Sequence, residues 1–86
     1  MKHIIISFKS RNSLFSFVKV ARGHGLNLKI VNTPRIVSVS CGLSAKTDFN
    51  NYHTIINILS MNRFADLLGV FLFQTIGTSE QVQRLY

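Results

Sequence analysis

One stretch of the chain gathers several residue types that can do chemistry together. It reads Thr33-Pro34-Arg35-Ile36-Val37-Ser38-Val39-Ser40-Cys41-Gly42-Leu43 and contains the single cysteine. A thiolate, not a thiol, is the nucleophile. Arg35 supplies a fixed positive charge in the same segment, and Ser38 and Ser40 can donate hydrogen bonds to an anion. Gly42 has no side chain to keep a bound sulfur away from its N–H. Ten Lys and Arg face three acids, Asp48, Asp66 and Glu80, for a formal charge of +7. That background field favours the thiolate form. A second reading fits the same residue: free cysteine is among the most buried residue types, and Cys41 can be a small core hydrophobe.

Other chemistries lack their residues. One Cys allows no intramolecular disulfide. His3, His24 and His53 are scattered without metal-ligand spacing, so no metal and no cofactor is expected. The three acids fall in different elements and offer no carboxylate pair. Gly23-His24-Gly25 follows a helix instead of opening one, so it is no phosphate loop. No apolar run approaches 18 residues, which excludes a membrane-spanning helix. Met1-Lys2-His3 leads into only three isoleucines, far short of a signal-peptide apolar segment. A reduced, cytoplasmic protein is the expectation.

The elements that must position the segment follow from hydrophobic periodicity. His3 to Phe8 alternates as a first strand. Ser10 and Asn12 offer N-caps, and Leu14, Phe17, Val18 and Ala21 form one apolar helical stripe. Arg11, Lys19 and Arg22 gather on another side, within about 80° of one another. Gly23 and Gly25 stop the helix, with Gly25 as the C-terminal cap. Leu26 to Val31 is a second strand, and Pro34 holds Thr33 extended. Ile36 to Ser40 suits a short extended piece, and Leu43 to Thr47 a third strand. Asp48 caps a second helix that buries Phe49, Tyr52, Ile55, Ile56 and Leu59 and ends between Met61 and Phe64. Val70 to Ile76 is the last strand, and the polar residues 78–86 are expected to be a loose tail. With 86 residues, 47% of them hydrophobic, this is one domain over residues 1–86. The order predicts an α+β, ferredoxin-like β-α-β-β-α-β fold, with a four-stranded sheet and two helices on one face. The other face, carrying Ile5, Lys29, Val31, Phe71 and Phe73, reads as an apolar patch and suggests a homo-oligomer through Ile5, Phe71 and Phe73.

Thr33-Pro34-Arg35, then Ser38, then Ser40-Cys41-Gly42 resembles the hallmark of a family of small bacterial proteins, the sulfur or selenium carrier-like proteins. The resemblance runs back through Phe8, Ser10 and Gly25-Leu26 and forward to about Ile76, although Ile36 stands where members often carry an acid. It implies that Cys41 accepts sulfur or selenium as a persulfide or perselenide and passes it on. Arg35, with Cys41, would then be the reactive pair, and Ser38, Ser40, Gly42 and Thr33 would line the cargo. Pro34 would fix the loop. Donor and acceptor proteins are the implied partners, and the basic side of the first helix is a candidate dock.

Two rivals remain. One is a non-catalytic interaction or regulatory subunit acting through its open sheet face, with Cys41 structural. The other, nucleic-acid binding, fits the charge. It is disfavoured because the third strand, Gly42 to Thr47, has no aromatic for base stacking. No acid or base accompanies Cys41 in sequence, so a carrier is read here in preference to an enzyme with its own turnover.

Overall fold

The computed structural model describes residues 2–37, 42–62 and 64–86. Eight elements follow one another: β1 (Lys2–Phe8), α1 (Arg11–Gly23), β2 (Lys29–Asn32), β3 (Leu43–Asp48), a 3-10 turn (Phe49–Asn51), α2 (Tyr52–Met61), β4 (Leu67–Ile76) and β5 (Ser79–Arg84). The strands form one sheet in the order β2-β3-β1-β4-β5, with every neighbouring pair antiparallel. β1 and β2 therefore run parallel to each other with β3 between them.

The architecture is α+β, with two helices and an antiparallel sheet, but the sheet has five strands where four were expected. The fifth comes from residues 78–86, anticipated as a loose tail. Gly77 sits at φ +62° and supplies the positive φ that a two-residue hairpin turn needs. Ile76 then pairs with Ser79, and the ladder continues to Phe71 opposite Arg84. β5 is polar and mostly exposed, as an edge strand can be, so its composition gave no alternation to read.

β1 is the hub. Ile4, Ile6 and Phe8 face the helices and join Leu14, Phe17, Val18 and Ala21 of α1 and Ile55, Ile58 and Leu59 of α2. Both helices thus pack on one sheet face. Three rings fill the centre of that layer: Phe8 lies 5.3 Å from Phe17 and 5.7 Å from Phe64, the latter edge-on. Ile58 belongs to this core, although the expected stripe of α2 passed over it.

The ends of α1 are closed by side chains and one glycine. Ser10 Oγ accepts from the Ser13 N–H at 3.2 Å. Asp66, from the turn before β4, accepts from the hydroxyls of Ser10 at 2.9 Å and Ser13 at 3.0 Å. Its negative charge therefore sits at the positive end of the helix dipole. At the other end Gly25 has φ +84°, its N–H reaches Arg22 O, and Leu26 N–H reaches Ala21 O, the pair of bonds that defines a Schellman cap.

That cap explains why β2 begins at Lys29 and not at Leu26. Leu26 is held by the helix end, and the Thr47 hydroxyl donates to Asn27 O at 3.0 Å. Asp48 caps as expected, but it accepts from the Asn50 N–H two residues on and so opens a 3-10 turn ahead of α2. Replacing Phe8 with Ala should cost about 3–5 kcal/mol of stability. Asp66→Ala, which removes two charged hydrogen bonds at a partly buried site, should cost about 1–2 kcal/mol. Urea unfolding of each variant measures both.

Candidate functional site

The loop between β2 and β3 holds the chemistry-bearing segment. The two strands pair from Lys29 opposite Lys46 to Asn32 opposite Leu43. One more bond extends the ladder: Thr33 N–H donates to Gly42 O at 2.9 Å. Gly42 takes φ +77°, yet among the described residues, its chain neighbours aside, no atom lies within 4 Å of where a Cβ would stand. Its glycine requirement is therefore a matter of backbone conformation and not of space. On the next residue in, Thr33 Oγ1 and Ser44 Oγ share a hydrogen bond of 2.7 Å, which satisfies a fully buried Ser44 hydroxyl.

Beyond Thr33 the chain turns. Val37 N–H donates to Pro34 O at 3.0 Å and closes a turn across Arg35 and Ile36. Val37 is buried against Ile5 and Phe73 on the sheet face opposite the helices. The turn is thus anchored on its inner side while Arg35 and Ile36 project outward; Ile36 is 71% exposed. Arg35 is exposed and has no hydrogen-bonded or ionic partner among the described residues. An extended piece was expected from Ile36 onward, and Ile36 instead belongs to this turn.

Of the residues expected to form the site, Thr33, Pro34, Arg35 and Gly42 are brought together at one end of the sheet. Ser38, Ser40 and Cys41 lie outside the described residues. Two contributors were missed from the sequence: Ser44, which locks Thr33, and Val37, which seats the turn. A lone serine in a strand carries no signal of that kind. Val37 could have been found by asking what covers Ile5 and Phe73.

That cover also corrects the expected apolar patch. Ile5 is 1% and Phe73 3% exposed within the single chain, so they present no open surface for a second subunit. Val31, Phe71 and Val82 pack around them, and the Arg84 guanidinium lies 6.0 Å from the Phe71 ring centre. On α1, Arg11, Lys19 and Arg22 are all exposed, as the helical offsets predict. Arg22 is partly occupied, since it donates to Leu28 O at 3.3 Å. His24 and His53 are exposed, as a turn residue and a helix-surface residue. Among the described residues no cluster of His, Cys, Asp or Glu could hold a metal. No helix of the described chain is long and apolar enough to cross a membrane.

His3 has a perturbed titration. It stacks on Phe73 at 5.3 Å, and burial holds it below its ordinary 6.5. The Lys46 charge pushes the same way, and Glu80 opposes both.

The family model described as "Putative Se/S carrier protein-like" matches residues 3–66, which is most of the chain, and the protein belongs to that family. The match spans β1 to the turn before β4 and so includes the whole Thr33–Gly42 loop. No curated protein and no solved structure matches the chain.

Two outcomes follow from this geometry. Gly42→Ala should cost about 1–2 kcal/mol in urea unfolding, because alanine is strained at positive φ however much room surrounds it. For His3, the unfolded chain takes up its proton near 6.5 and the folded chain only at lower pH. The unfolded state binds more protons in that window, so stability should fall as pH drops through it. An NMR titration of the His3 ring should give a midpoint below 6.5, raised by Lys46→Met and lowered further by Glu80→Gln.

Proposed function

We propose that the protein carries one sulfur or selenium atom on Cys41, as a persulfide or perselenide, between a donor and an acceptor protein. Membership of the carrier-like family is the observation that carries this reading, since the match includes the loop with the single cysteine. The geometry of the loop's two ends supports it. Thr33 and Gly42 are hydrogen-bonded together, Arg35 follows one end by two residues, and Cys41 precedes the other by one in the chain. A guanidinium that has no acid partner among the described residues and stands in solvent can serve an anion that arrives there.

The transfer needs little machinery. The Cys41 thiolate attacks the outer sulfur of a donor persulfide. A new S–S bond forms to Cys41, the donor's S–S bond breaks, and the donor leaves as its thiolate. No net oxidation occurs, and delivery to an acceptor thiolate is the same step reversed. A perselenide donor follows the same course with selenium as the outer atom. The terminal chalcogen is anionic near neutral pH. Arg35 offsets that charge, while the Gly42 N–H, Ser40 and Ser38 offer hydrogen bonds. Thr33 and Pro34 fix the start of the loop.

Incubation with a small-molecule persulfide followed by intact mass spectrometry tests the reading. The wild type should gain one sulfur atom and Cys41→Ser none. Arg35→Ala should slow alkylation of the thiol at pH 7 about fivefold, the rate equivalent of losing one nearby charge at the surface. No mass gain in the wild type, or a gain that persists in Cys41→Ser, overturns it.

A further inference from the structure

A second concave site lies at the other end of β2 and β3, remote from the loop just described. It is a groove of about 480 Å3 whose walls include Lys2, His3, Asn27, Lys29, Lys46 and Asp48. Its charge is an anomaly for the fold. Lys29 stands directly opposite Lys46 across the β2–β3 ladder. Like charges placed opposite one another on a sheet weaken it. A lysine on edge strand β2 is ordinary protection against stray pairing. Lys46 has no such excuse, because β3 is an interior strand with β1 on its other side.

No acid neutralises the pair among the described residues. Asp48, the one carboxylate in the wall, uses Oδ1 to accept the Asn50 N–H at 2.8 Å. Lys2, on the helix side of β1, keeps its ammonium over the Phe49 ring, 5.4 Å from the ring centre. The backbone here is pinned, since the Thr47 hydroxyl holds Asn27 O. His3 closes one side with its ring stacked on Phe73. The result is a preformed hollow with two in-register cations and an apolar flank in Leu28.

We propose that this groove binds a small phosphomonoester dianion, with Lys29 and Lys46 gripping the phosphate. Two adjacent ammoniums match a dianion better than a single carboxylate. The volume lies within the range of small-molecule sites. Asp48 in the wall, and Glu80 close enough to act on His3, interrupt the basic field. A polyanion that needs a continuous track is therefore served poorly. The site is independent of Cys41 and of any carrier role.

Amide NMR titrations of the full chain at fixed ionic strength test it, with inorganic phosphate, adenosine 5′-monophosphate and adenosine as probes. Phosphate and the monophosphate should give saturable shifts at Asn27, Lys29 and Lys46, and adenosine none. The double variant Lys29→Gln/Lys46→Gln should weaken binding at least about tenfold, as expected on losing charge-assisted contacts. Lys46→Gln alone should give a smaller loss while leaving the melting temperature equal or higher, because it relieves the like-charge pair. Shifts that never saturate, equal shifts with adenosine, or unchanged affinity in the double variant overturn the proposal. So does an RNA oligonucleotide that binds more tightly than the monophosphate and shifts amides well beyond the groove.

Discussion

The seating of Val37 on the sheet ties the described part of the β2–β3 loop to the rest of the molecule. Ten residues connect these two short strands. The connection is closed at its base by Thr33 and Gly42 and tethered at its side by a valine pressed against Ile5 and Phe73. Burying one aliphatic side chain of this size is worth about 1.5–3 kcal/mol, enough to bias a loop strongly toward one arrangement. The same contact shields the middle of β1. The central strand is therefore buried on both faces, by helices on one and by the loop and β5's neighbours on the other. Site and core are consequently one construction: a change at Ile5 or Phe73 would be felt at Arg35.

The three acids illustrate how sparingly negative charge is used. Asp48 accepts the Asn50 N–H at the start of the 3-10 turn, and Asp66 ties the turn before β4 to the first turn of α1. Glu80 bears on His3. Among the described residues none of them forms an ion pair with a basic side chain, so the net positive field reaches solvent. Arg35 at one end of β2 and β3, and Lys29 with Lys46 at the other, inherit that condition. Anions are attracted to both ends of the same short ladder.

Much of this was readable from residue order. The 3.6-residue stripe of Leu14, Phe17, Val18 and Ala21 reproduces the buried face of α1, and Ser10 and Gly25 mark its ends. Alternation assigned Val70 and Leu72 to one sheet face and Phe71 and Phe73 to the other. What alternation could not convey is what lies on top of a face. Ile5 and Phe73 looked open because the chain that covers them, Val37 and the strand bearing Val82, is not next to them in sequence. β5 escaped notice for a related reason: an exposed edge strand made of Ser, Glu, Gln and Arg has no apolar face to reveal it. The Lys29–Lys46 pairing exists only through register, which no linear reading supplies. The pattern Thr33-Pro34-Arg35 and Ser40-Cys41-Gly42 was visible as a motif, and the structure contributes the hydrogen bond from Thr33 to Gly42 that joins the motif's two ends.

The family match ends at Asp66, one residue before β4 begins, yet β4 is the partner along the full length of one side of β1. A fragment cut at that boundary would keep both helices, the loop and the β1–β3 pairing, but would turn β1, with Ile4, Ile5 and Ile6, into an edge strand whose β4-facing donors and acceptors are unmet. Such an edge is a template for pairing with other chains. The last twenty residues therefore cover an edge that the family match leaves open.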